Sequence, residues 1–138
     1  MIKQVVLFII CLSTLLVSAG CNTLADARAA KGTGKTRAYN FSFDTVWENI
    51  PYVLSDCDLK IAGENKDEGY ILAQKGITLF SYGEQVAIFV SKIDESKTKV
   101  EVVSKKSLET NILAWNWEKP ILDGLDKKLT EKYPETSD

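Results

Sequence analysis

The chain has 138 residues, 45% of them hydrophobic, 26% charged and 9% aromatic, a balance that suits one small globular domain and excludes a disordered or multi-span membrane chain. It contains no histidine, which removes imidazole acid–base catalysis and the commonest metal ligand, and its three cysteines are too few for a disulfide-built scaffold. Seventeen basic and nineteen acidic side chains leave a net charge of −2, so nothing draws the chain toward nucleic acid.

The first twenty residues read as an export leader. Lys3 supplies a positive charge, and Val5 to Val17 form an apolar run broken only by Ser13 and Thr14. As a helix this run would be about 20 Å long, short for a bilayer core of about 30 Å. A short apolar core followed by small residues fits a signal peptide better than an anchor helix. The leader ends Leu16-Val17-Ser18-Ala19-Gly20-Cys21, which resembles the bacterial lipobox, with Ser18 where leucine is usual. The resemblance implies cleavage between Gly20 and Cys21 and lipidation of Cys21. Two or more acyl chains would then hold the chain stably at a membrane. Asn22 differs from the aspartate of the inner-membrane retention signal. The expected location is therefore the periplasmic face of the outer membrane, or the outer face of the cytoplasmic membrane in a one-membrane cell.

Residues 21–35 read as a flexible tether, rich in Ala, Gly and Thr. Arg28, Lys31, Lys35 and Arg37 against Asp26 give residues 21–43 a net charge of +3, whereas residues 44–138 carry −6. Within the tether, Ala29 to Thr36 nearly matches the phosphate-binding loop pattern. It lacks the first glycine, the preceding strand and the following helix, so no nucleotide is expected.

Residues 36–133 read as a single domain, with 134–138 a loose tail. Thr36 to Ser42 is a first strand. Ser42 or Asp44 can cap a helix over Phe43 to Asp56, whose Phe43, Val46, Trp47, Ile50, Val53 and Leu54 recur at helical spacing. Pro51 inside it predicts a kink or an early end. Leu59–Ala62 and Tyr70–Gln74 form a hairpin closed by Gly69, and Gly76–Tyr82 is a short aromatic run. Val86–Lys92 and Lys99–Ser104 form a second hairpin. In its return strand Val100 and Val102 alternate against Lys99, Glu101 and Val103, predicting one buried and one wetted face. Asn116 can cap a last helix with Ile121, Leu122, Leu125 and Leu129 as its apolar stripe. The expected fold is α+β: an antiparallel sheet of four to five strands with two helices packed on one face.

The run Phe41-Ser42-Phe43-Asp44-Thr45-Val46-Trp47, then Asp58-Leu59-Lys60-Ile61 and Lys66-Asp67-Glu68-Gly69-Tyr70-Ile71, resembles the repeated domain of BamC-type outer-membrane lipoproteins. It is also similar to several small bacterial envelope lipoprotein families with this layout. The resemblance covers roughly residues 38–130. It implies a non-catalytic binding or accessory module of the cell envelope, in outer-membrane assembly or maintenance.

Residues that could carry chemistry are few. Cys57 lies between Asp56 and Asp58, whose charge opposes a thiolate. Glu64, Asp67 and Glu68 fall in a turn without calcium-loop spacing. Ser104, Lys105, Lys106 and Ser107 lack the spacing of a serine–lysine pair. No catalytic residue, metal or cofactor is expected. Phe80, Tyr82 and Trp115, in or beside loops, are candidates for a surface that meets a protein partner. The alternative function is a carrier or sensor of a small apolar ligand, which would need a cavity beneath Trp47.

Overall fold

The computed structural model describes residues 23–76, 83–106 and 115–134. Three helices and five strands run in the order α1 (Leu24–Ala29), β1 (Lys35–Tyr39), α2 (Phe43–Asp56), β2 (Lys60–Asn65), β3 (Tyr70–Gln74), β4 (Glu84–Lys92), β5 (Thr98–Lys106) and α3 (Glu118–Lys132). The strands form one antiparallel sheet in the order β1-β5-β4-β3-β2. The chain is thus an α+β fold with helices packed against a five-stranded sheet. The run Gly76–Tyr82, expected as a strand, falls almost wholly outside the described residues.

The long helices cover one face. From α2 come Val46, Trp47, Ile50, Val53 and Leu54; from α3 come Ile121, Leu122, Leu125 and Leu129. They close over Ile71, Val86, Ile88, Val100 and Val102 of the sheet, and all are buried. Fully burying each such side chain stabilises the fold by about 1.5–3 kcal/mol. Pro51 neither ends nor shortens α2, which continues to Asp56. A mid-helix proline costs about 3 kcal/mol, but Ile50, Val53 and Leu54 around it are all buried, and their burial outweighs that cost.

The helix ends follow from local chemistry. Ser42 Oγ accepts from Thr45 N–H at 3.3 Å at the start of α2. Its other end is a Schellman turn, in which Leu59 N–H donates to Leu54 O (2.9 Å) and Asp58 N–H to Ser55 O (2.9 Å). Asp58 occupies the left-handed position, φ 54°, where glycine is usual. Helix α3 starts at Trp117 as its N-cap, without a side-chain capping bond; Asn116, expected as the cap, lies one residue earlier, and its Oδ1 accepts from Glu118 N–H at 2.9 Å in a local turn.

The second face differs from the expectation. The segment read as a flexible tether is folded from Thr23 onward, and α1 lies across the face read as wetted. Ala27 packs with Ala87, Phe89 and Val103, all buried, and Ala30, Tyr70 and Leu72 border them. The physical reason lies in the sheet. Val103, Phe89 and Leu72 put apolar side chains on this face, and α1 takes them out of water.

Candidate functional site

Gly20 and Cys21, the cleavage and lipidation residues, lie outside the described residues, as do Phe80 and Tyr82. Among the sequence-selected residues, Trp115 is placed. It is 63% exposed, and its backbone N–H donates to the buried Glu84 carboxylate at 3.3 Å.

The chain that leads away from Cys21 is tightly held. Thr23 and Asp26 form a capping box: Thr23 N–H donates to Asp26 Oδ2 at 2.6 Å, and Asp26 N–H to Thr23 Oγ1 at 3.3 Å. The Thr23 backbone N–H, and after it the Thr23 hydroxyl donating to the same oxygen at 2.8 Å, hold the Asp26 carboxyl below its ordinary value. Arg28 pairs with Glu68 and stacks on Tyr70, its guanidinium carbon 4.1 Å from the ring centroid. Lys31 lies 5.4 Å from the Phe89 ring centroid. Gly32 and Gly34 N–H both donate to Glu101 Oε1, at 2.6 and 3.0 Å. Gly34 also passes so close to β5 that a Cβ there would lie 2.2 Å from Val102 O. Residues 23–34 are therefore a folded strap across the sheet.

The strap starts at one end of the sheet. Gln74, Gln85 and Lys105 share a row, and Asp26 in the first turn of α1 is within electrostatic reach of Lys105. In the next row Glu84 faces Lys106, Lys75 N–H donates to Glu84 O at 3.0 Å, and Trp115 joins the Glu84 carboxylate. Lys75 Nζ donates to Cys57 O and Asp58 Oδ2, both at 3.1 Å, and sits 5.2 Å from the Trp117 ring centroid. The lysine therefore places its positive charge on the negative end of α2. The other end of the sheet carries the turns at Lys66–Gly69 and Asp94–Lys97.

Cys57 is half-buried and caps α2. Burial, then the Asp56 carboxylate, pushes its thiol above the ordinary value, with Lys75 acting in the opposite direction. That is the reverse of what activates a nucleophilic thiolate. Glu68 is taken up by Arg28, and Asp44, beyond the Glu64–Gly69 turn, pairs with Lys66 at 2.8 Å. Among the described residues no group of three or more Cys, Asp or Glu could hold a metal ion. Nor is any described helix long and apolar enough to cross a membrane.

Several clefts indent the surface among the described residues. One of about 360 Å³ lies beside the first hairpin turn, between Lys31, Phe43, Lys66, Asp67, Glu68 and Lys92. One of about 260 Å³ is formed by Asn49, Tyr52, Lys128 and Lys132, and one of about 230 Å³ by Asp56, Gly124, Lys127 and Glu131. Trp47 borders none of these three. It is 7% exposed and stacks on Phe43 with ring centroids 5.6 Å apart, as part of the core.

The sequence reasoning missed the strap. Its signal is the Thr23-x-x-Asp26 spacing, together with apolar residues on the second face of β4 and β5 that need a cover. Scanned against protein-family models the chain matches none, and a search of curated proteins finds no match. The resemblance to BamC-type lipoproteins therefore rests on the sequence motifs quoted for it.

Proposed function

We propose that this chain is a lipid-anchored, non-catalytic binding or accessory module of the bacterial cell envelope. Its location is the periplasmic face of the outer membrane, and its setting is outer-membrane assembly or maintenance. The observation that carries this reading is the leader: a short apolar run ending in small residues at Cys21, with Asn22 after it. Acylation of that sulfur supplies the membrane affinity that the described helices lack.

The chemistry of the domain supports a binding role. The mature chain has one thiol, Cys57, and its surroundings disfavour the thiolate. Of the turn carboxylates, Glu68 pairs with Arg28, and Asp67 and Glu68 share their cleft with Lys31, Lys66 and Lys92. What the fold offers a partner is surface, including exposed Tyr52 on α2 and Ile93 beside the second turn.

Fractionation of cells producing the native chain or Cys21→Ala tests the reading. The native chain is expected with the outer membrane and to resist a high-salt wash. Cys21→Ala is expected to leave that fraction. Equal distribution of the two forms would refute the anchor.

A further inference from the structure

The folded strap keeps one end of an anchored chain close to the membrane. Only Asn22 stands between Cys21 and Thr23, the first residue of the capping box. Two residues span at most about 7 Å. If the Cys21 sulfur bears lipid, Thr23 must lie close to the headgroups. The strap then transmits that constraint, because Ala27, Arg28, Lys31, Gly32 and Gly34 bind it to the sheet. The link leaves the strap's first turn within about 7 Å of the anchored residue.

The surface at that end suits a bilayer interface. Lys105 lies two residues along β5 from Val103, on which Ala27 of α1 packs, and Lys106 lies in the adjoining row of the sheet. Trp115 stands out from the same end, 63% exposed. Tryptophan favours the headgroup layer, and basic side chains near an anionic surface are attracted by about 1 kcal/mol each. Asp26 and Glu84, which faces Lys106, offset that charge, and Lys75 is held by Asp58, so the short link to Cys21, rather than charge, brings this end to the membrane.

We propose that this end of the sheet rests in the headgroup layer of the membrane, with Trp115, Lys105 and Lys106 facing lipid, and that the two hairpin turns point away from it. This rests on the anchoring proposed above. Trp115, a partner-surface candidate from the sequence, thereby meets lipid, and protein partners are met by the turns and by the α2–α3 layer.

The test uses full-length protein purified from membranes, with Cys57→Ser as background, reconstituted into vesicles containing headgroup-spin-labelled phosphatidylcholine. A fluorophore is placed by Gln74→Cys at the anchored end or by Glu95→Cys at the far turn. Quenching is expected to be several-fold stronger at position 74 than at 95. A flexible Gly–Ser insert between Asn22 and Thr23 is expected to erase that difference. Quenching of tryptophan emission by the same lipids is expected to fall in Trp115→Phe. Equal quenching at 74 and 95 in protein whose mass shows an acylated Cys21 would overturn the orientation and leave the anchor standing. An unmodified Cys21 in the mass spectrum would overturn the anchor, and the orientation with it.

Discussion

Asp58 holds a left-handed backbone at the end of α2, with φ 54°, and receives the ammonium of Lys75 at 3.1 Å. A side chain in that conformation costs about 1–2 kcal/mol relative to glycine. Its carboxylate is largely exposed, so the ion pair returns less than that. Asp58→Gly is therefore expected to raise stability by about 0.5–1 kcal/mol, and Asp58→Val to lower it by about 1–2 kcal/mol, as read from urea denaturation midpoints. Tyr39 offers a second test. Its hydroxyl donates to Leu122 O at 3.1 Å, and burial, reinforced by Asp126, pushes the phenol well above its ordinary value. The unfolded chain ionises near pH 10 while the folded chain keeps its proton, so folding stability is expected to fall as pH rises past about 10. Alkaline denaturation curves of the native chain and Tyr39→Phe check this. The variant should lose the Leu122 bond yet show the shallower decline above that pH.

Burial decides which elements the sequence makes readable. Helix α2 is predicted over Phe43–Asp56 and found there, because six apolar side chains at helical spacing repeat over three turns behind a serine cap. Helix α3 is found with its predicted stripe buried, but its N-cap is Trp117 rather than Asn116. The strands either side of the turns at 64–69 and 94–97 pair as hairpins, since period-two alternation needs few residues to show itself. Pro51 misled the reading because backbone propensity is local, whereas the burial that overrides it comes from β-strands and α3 far along the chain. Helix α1 escaped it because six residues give too few turns for a period, and alanine is a weak hydrophobic signal. Of the candidate site residues, Trp115 is described and is exposed, but the strap beside Cys21 was read as slack chain. Ala27→Asp is expected to strip α1 from the sheet by burying a carboxylate among Ala87, Phe89 and Val103, at a cost of about 1–3 kcal/mol. Hydrogen exchange should show residues 24–34 losing protection while α2 and α3 keep theirs. Unchanged exchange in 24–34 would mean that the strap is not held by this contact.

The whole molecule is a five-stranded sheet with its main core beneath two long helices and a small second core beneath the strap. That asymmetry has a consequence for an anchored chain. No side chain of residues 23–34 belongs to the two-helix core, and besides covering the second face the strap sets how the domain stands relative to whatever holds Cys21. Both the proposed anchorage and the orientation depend on one covalent event at one sulfur. The most direct test is the intact mass of the mature chain extracted from cell membranes, with fragmentation of its N-terminal peptide. The account predicts a chain beginning at Cys21 and carrying a diacylglyceryl group on sulfur, with or without a further acyl chain on its amine. A mature chain with an unmodified cysteine, or one still carrying residues 1–20, would contradict it.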